Sequence, residues 1–183
     1  WFIVLSAAFT PAFLVGLFLV RAVPPMSPNL SAEQVARVYS DHHVAVQLGA
    51  MILMFGAILY AAFSAVRILW LRRLEAGRLP ILTAFSAFLA AIDCVGTMLS
   101  FSLYAVVGYR AGVAPPAVTQ ALLDLTTFIL IFPVSPLIGT MLVFAAAVIR
   151  DRNSPRVLPL WLAPLSIATA VLSFGAGLIG FTK

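Results

Sequence analysis

Five apolar runs, at about 1–20, 44–70, 81–107, 117–149 and 158–181, are each long enough to cross a lipid bilayer as a helix. A spanning helix takes about 20 residues, because each residue rises 1.5 Å and the hydrocarbon core is about 30 Å thick. Backbone N–H and C=O groups find no water there, so only helices and closed barrels cross. None of the runs alternates with period two, which removes a barrel. The expected fold is therefore all-α: a polytopic transmembrane helix bundle of five spans, forming one integral membrane domain over 1–183. Composition agrees, since 63% of residues are hydrophobic and 9% charged, where soluble domains carry about 25% charge. No internal repeat points to an inverted-repeat transporter.

Charge sets the expected orientation. Arg67, Arg72, Arg73 and Arg78 are assigned to the loop after the second run, and Arg150, Arg152 and Arg156 to the loop after the fourth. The first loop balances Arg21 and Arg37 with Glu33 and Asp41, and the third holds Arg110 alone. By the positive-inside rule the two arginine-rich loops face the cytoplasm. That makes the protein a multi-pass protein of the inner (cytoplasmic) membrane, with a cytoplasmic N-terminus and Lys183 outside. The net charge of +5 comes from few acids rather than many bases, which excludes nucleic acid as a partner. Trp1–Val20 lacks a basic start and a small-residue cleavage site before Arg21, so it reads as a span and not a signal peptide. Because the first run is under way at Trp1, further residues are expected before it. The single cysteine, Cys94, allows no internal disulfide and reads as packing.

The segment 24–43 is expected to be an extracytoplasmic loop with a short helix leading into the second span. Pro24, Pro25 and Pro28 end the first helix. Ser31 with Gln34 forms a capping box, and Leu30 with Val35 occupies the positions of a hydrophobic staple. Glu33, Arg37 and Asp41 follow at spacing four, so they can pair along one exposed face. A helix from Ala32 is expected to run on into the second span, reaching roughly 58 Å by Trp70. Small residues at spacing four, Ala57, Ala61 and Ala65 in the second run and Ser173 with Gly177 and Ala176 with Gly180 in the fifth, mark expected helix contacts.

Polar residues inside the runs are the candidate site. Asp93 stands near the centre of its run, and Ser86, Thr97, Ser100 and Tyr104 fall within about 40° of it at 100° per residue. Asp124 shares its face with Gln120 and Thr127. Beyond it, Phe132-Pro133-Val134-Ser135-Pro136 breaks the fourth run and frees helix carbonyls, with Ser135 and Thr140 at hand to satisfy them. A carboxylate in hydrocarbon costs about 2.5–3.5 kcal/mol or more. Both acids are accordingly expected to turn into the bundle, with no basic residue inside a span to pair with them. Asp93, Thr97, Ser100, Gln120, Asp124, Thr127 and Ser135 are the candidates for binding a proton or polar ligand.

Tyr39, His42, His43 and Gln47 form an interfacial group. Neighbouring residues on a helix point about 100° apart, so Asp41, His42 and His43 do not converge on a metal. Tyr39, His43 and Gln47 share one face of a continuous helix. No nucleophile–base pair, phosphate loop or CxxC occurs, so no catalytic residue, metal or cofactor is expected; a bound lipid or quinone stays open.

Several segments resemble a family of bacterial integral membrane proteins with about six spans. They are Pro24-Pro25 through Leu30-Ser31-Ala32-Glu33-Gln34 and Tyr39, Leu48-Gly49-Ala50-Met51, Phe55-Gly56-Ala57, Leu123-Asp124-Leu125, Phe132-Pro133 with Pro136, Asp151-Arg152, and Gly175–Lys183. The resemblance implies an all-helical fold and a shared Asp124, and it implies no activity. Such proteins continue past the segment matching Gly177–Lys183 into one more helix, so either the chain is shortened here or that sixth helix is absent.

The leading expectation is a non-catalytic subunit packed beside a larger membrane protein complex, such as a membrane-bound oxidoreductase or monooxygenase, with membrane lipids and other subunits as partners. The alternative is a small proton-linked carrier or sensor of a hydrophobic ligand, using Asp93 and Asp124. A lipid- or quinone-modifying enzyme with chemistry at His42 or His43 is third.

Overall fold

A computed structural model of the chain describes residues 2–24, 26, 27, 29–76, 79–131, 133–151, 153 and 155–177. Every regular element among them is a helix: α1 Phe2–Leu19, α2 Ala32–Asp41, α3 His43–Leu74, α4 Ile81–Arg110, α5 Pro116–Ile131, α6 Val134–Ile149 and α7 Leu162–Gly177. The all-α expectation holds. Three stretches of the described residues are long and apolar enough to cross a membrane: α3, α4, and α5 with α6 taken together over Pro116–Ile149. The first and last runs contribute shorter apolar helices, Ala7–Leu19 and Leu162–Gly175, so the count is three where five were expected. The last run is shortened at its start. Asp151 draws the chain into a loop there, its Oδ1 accepting from the Asn153 amide (2.9 Å) and Nδ2 (2.7 Å), its Oδ2 from the Val157 amide (2.8 Å).

α1 packs on α3, α3 on α4, α4 on α5 and α6, and α6 on α7. The tightest approach is between α1 and α3. A methyl group built at Gly49 would stand 2.6 Å from Leu19 Cβ and 3.0 Å from the Gly16 carbonyl oxygen. Backbone meets backbone there, so the close helix contact is made by Gly16 and Gly49. Of the expected alanine stripe, Ala57 is buried and Ala61 is exposed. Ser173 is half-buried, the Ala176 side chain is not described, and Gly180 lies outside the described residues. α1 ends before the prolines: Arg21 turns left-handed at φ 62°, and the Ala22 amide donates back to the Leu17 carbonyl at 2.9 Å.

α2 starts as the sequence predicts. Ser31 Oγ accepts from the Gln34 amide (3.3 Å), and Gln34 Oε1 accepts from the Ser31 amide (2.9 Å). Leu30 and Val35 join the same apolar cluster with Tyr39, Phe101 and Tyr104. The helix does not continue into α3. His42, at φ −118° and ψ 18°, breaks it, and α2 turns aside to lie on α5. The reason is amphipathicity: α2 buries only Val35 and Tyr39, and that narrow apolar stripe needs a neighbour which a projecting helix would lack.

The turn between α3 and α4 is held by Glu75. Its Oε1 accepts from the Leu82 amide (2.9 Å), and its Oε2 from the Thr83 amide (2.8 Å) and Thr83 Oγ1 (2.6 Å). A carboxylate thus satisfies the free N–H groups at the positive end of α4. The expected break in the fourth run falls between α5 and α6, with Pro133 as the N-cap of α6. Thr140 Oγ1 donates to the Pro136 carbonyl of its own helix at 2.8 Å, a back-bond of the kind Ser and Thr make four residues on. Phe132, Arg78 and Arg152 lie outside the described residues.

Candidate functional site

Asp93 faces inward, and so does its whole stripe: Ser86, Asp93, Thr97, Ser100 and Tyr104 are all buried. Asp93 is 4% exposed and accepts a hydrogen bond from the Tyr60 hydroxyl across the α3–α4 seam. Ser100 Oγ donates to the Thr126 carbonyl of α5 at 3.1 Å. Tyr39 closes the α2 end of this core, its hydroxyl donating to the Val20 carbonyl at 3.1 Å. Cys94, next to Asp93, is half-buried and free.

Arg67 corrects the charge assignment. α3 runs to Leu74, so Arg67, Arg72 and Arg73 are helical rather than in a loop. Arg67 is 6% exposed, and its Nε, Nη1 and Nη2 have no hydrogen-bond partner among the described residues. A basic residue therefore does lie inside the bundle. Its guanidinium sits 5.8 Å from the centre of the Phe63 ring, one turn back along α3. The signal in the sequence was the spacing from Tyr60: seven residues, two turns, place Arg67 on the same buried face.

Asp124 behaves in the opposite way. It is exposed on α5, among the exposed Ala121, Leu125, Thr127 and Phe128. The inward expectation fails because Thr119 and Thr126 set the buried face of α5. Two residues separate Asp124 from Thr126, which puts it about 160° around the helix from that face. Thr119 and Thr126, seven apart, were the legible but unread signal. Gln120 is half-buried, and Thr127 Oγ1 donates to its own helix at the Leu123 carbonyl (2.9 Å). The Ser100–Thr126 bond places Asp124 alongside the half of α4 nearer Arg110, within a stretch long and apolar enough to cross a membrane. Beside it, between α4 and α5, lies an open apolar hollow of about 620 Å³, walled by Ile92, Val95, Gly96 and Leu99 and by Phe128 and Ile129. Phe128 is one helical turn from Asp124.

The interfacial group does not assemble. The break at His42 separates Tyr39, which is buried, from His43, which is exposed with Nδ1 2.9 Å from the Ser40 carbonyl oxygen. His42 is exposed and Gln47 half-buried. Ser135, exposed at the start of α6, stands apart from both acids along the chain. No group of three or more His, Cys, Asp or Glu side chains placed to hold a metal occurs among the described residues. No known protein family, curated protein or solved structure matches the chain.

Proposed function

We propose that this chain is a non-catalytic membrane subunit that packs beside a larger membrane protein complex, and that it docks through the outward face of α5. The single observation carrying this reading is Asp124: a carboxylate exposed on an apolar face of a stretch long and apolar enough to cross a membrane. Facing lipid alone it would cost up to about 2.5–3.5 kcal/mol near the bilayer centre. A partner's transmembrane helix that seats in the α4–α5 hollow and offers Asp124 an N–H or ammonium donor removes that cost. In the proposed topology α1 and α7 complete five spans, and the Arg72, Arg73 and Arg150 end lies in the cytoplasm. The family resemblance, with its shared Asp124, supports the same face. The carrier reading drew on two inward acids; with Asp124 outward it retains Asp93 alone and stands second.

The test is gentle extraction from the native membrane followed by native electrophoresis. The wild-type chain is expected to migrate in a complex larger than itself, and Asp124→Leu to release it as a folded monomer. A wild-type chain that migrates only as a monomer overturns the proposal.

A further inference from the structure

The α3–α4 seam holds a second polar cluster that the docking face does not use. Tyr60 on α3 meets Asp93 on α4. The helices are joined by the short turn at Glu75 and run antiparallel, so two turns onward along α3 and two turns back along α4 bring the backbone of Arg67 level with that of Ser86, while the guanidinium reaches back over Phe63 and has Cys94 as an electrostatic neighbour. Ser64 precedes Arg67 by one turn on the same face. All three are buried, Arg67 to 6%, Ser64 to 3% and Ser86 to 0% exposure. All three also lack partners: Arg67 Nε, Nη1 and Nη2, Ser64 Oγ and Ser86 Oγ make no hydrogen bond among the described residues.

A guanidinium brings five N–H donors and no acceptor, and each serine adds one O–H donor beside an oxygen that can also accept. The acid buried in the same seam, Asp93, already accepts from Tyr60. A buried cation without an acceptor is among the costliest arrangements in a protein, whereas a planar fork of donors matches a carboxylate or phosphate bidentately. Arg72, Arg73 and Arg150 stand at the same end of the bundle and are exposed, which raises the local concentration of anions.

We propose that Arg67, with Ser64 and Ser86, is a binding site for an oxyanion, a carboxylate or phosphate group that enters the α3–α4 seam from the arginine-rich end. The group is carried on a lipid or arrives free in solution. This inference is independent of Asp124, and an Asp124→Leu chain is expected to show it unchanged.

The experiment uses the full chain in phosphatidylcholine nanodiscs, read by thermal unfolding. One arm adds phosphatidylglycerol or palmitate to the bilayer; the other adds inorganic phosphate or acetate to the buffer, with chloride at matched ionic strength as control. Wild type is expected to be stabilised in at least one arm beyond chloride, and that arm names the source. Arg67→Met, which removes the charge but keeps the bulk, is expected to lose the anion response while being at least as stable as wild type without anion. Ser64→Ala/Ser86→Ala keeps the cation, and with it the anion is expected to bind about tenfold more weakly. Arg72→Gln/Arg73→Gln is expected to retain the response. Absence of any stabilisation of wild type overturns the site. So does a response that survives Arg67→Met, or one that disappears with Arg72 and Arg73 instead.

Discussion

Tyr60 and Asp93 illustrate how a single hydrogen bond keeps a carboxyl group inside this bundle. The Tyr60 hydroxyl is its partner in the seam, and removing one side of a buried pair costs the desolvation of the other, about 1–3 kcal/mol. Tyr60→Phe is expected to lower stability by that amount, measured by thermal unfolding in detergent. Tyr60→Phe combined with Asp93→Leu is expected to recover most of it, because both polar atoms then leave together. Glu75 makes a different kind of contribution, at the membrane edge. Burial pushes its carboxyl up, but the Thr83 hydroxyl, the Leu82 and Thr83 amides and the nearby Arg72 outweigh burial and hold it below the ordinary value of 4.5. A depressed carboxylate stabilises the fold above its unfolded value and loses that contribution as pH falls through the folded value. Wild type is therefore expected to weaken as pH drops below about 4.5. Glu75→Gln, less stable at pH 7, is expected to lose part of that acid-side slope.

Among the elements, the α1–α3 pair depends most on what is missing from its side chains. Gly16 and Gly49 let the backbones touch, and any Cβ at Gly49 meets Leu19 Cβ rather than a flexible tip. Gly49→Leu is expected to separate α1 from α3 and cost several kcal/mol, seen as early proteolysis of α1; Gly175→Leu, with open space around it, is expected to be neutral. These elements also show how far the sequence could be read. The α4 stripe was legible because Ser86, Asp93, Thr97, Ser100 and Tyr104 repeat at helical spacing and burial follows that spacing. The Ser31–Gln34 cap was legible because it is local chemistry. The turn at His42 was not, since nothing in the local sequence stops a helix there; it arises from α2 finding α5. Arg67 was misplaced because it was grouped with the loop arginines although it lies within the 44–70 run. Asp124 was misread because its own neighbours, Gln120 and Thr127, suggested a polar face. The opposite face is the buried one, through Thr119 and Thr126.

For the whole molecule, the docking proposal assigns Asp93 to cohesion and Asp124 to recognition. Asp93, Tyr60 and Arg67 lie within the α3–α4 seam, so their effects belong to this chain and whatever enters that seam. Asp124 lies on the outside of α5, one turn from Phe128, which lines the hollow, so the docking proposal assigns its effects to the assembly. Substituting Asp124 is accordingly expected to leave the thermal stability of the isolated chain unchanged or improved while abolishing its association.

The most direct test places a photo-activated cross-linking residue at position 128, in the native membrane, and identifies the adduct by mass spectrometry. The docking account predicts a cross-link to a transmembrane segment of another polypeptide that carries Lys, Arg, His, Asn or Gln, and loss of that adduct when Asp124→Leu is added. Adducts with lipid alone, or an adduct that persists without the carboxylate, would contradict it.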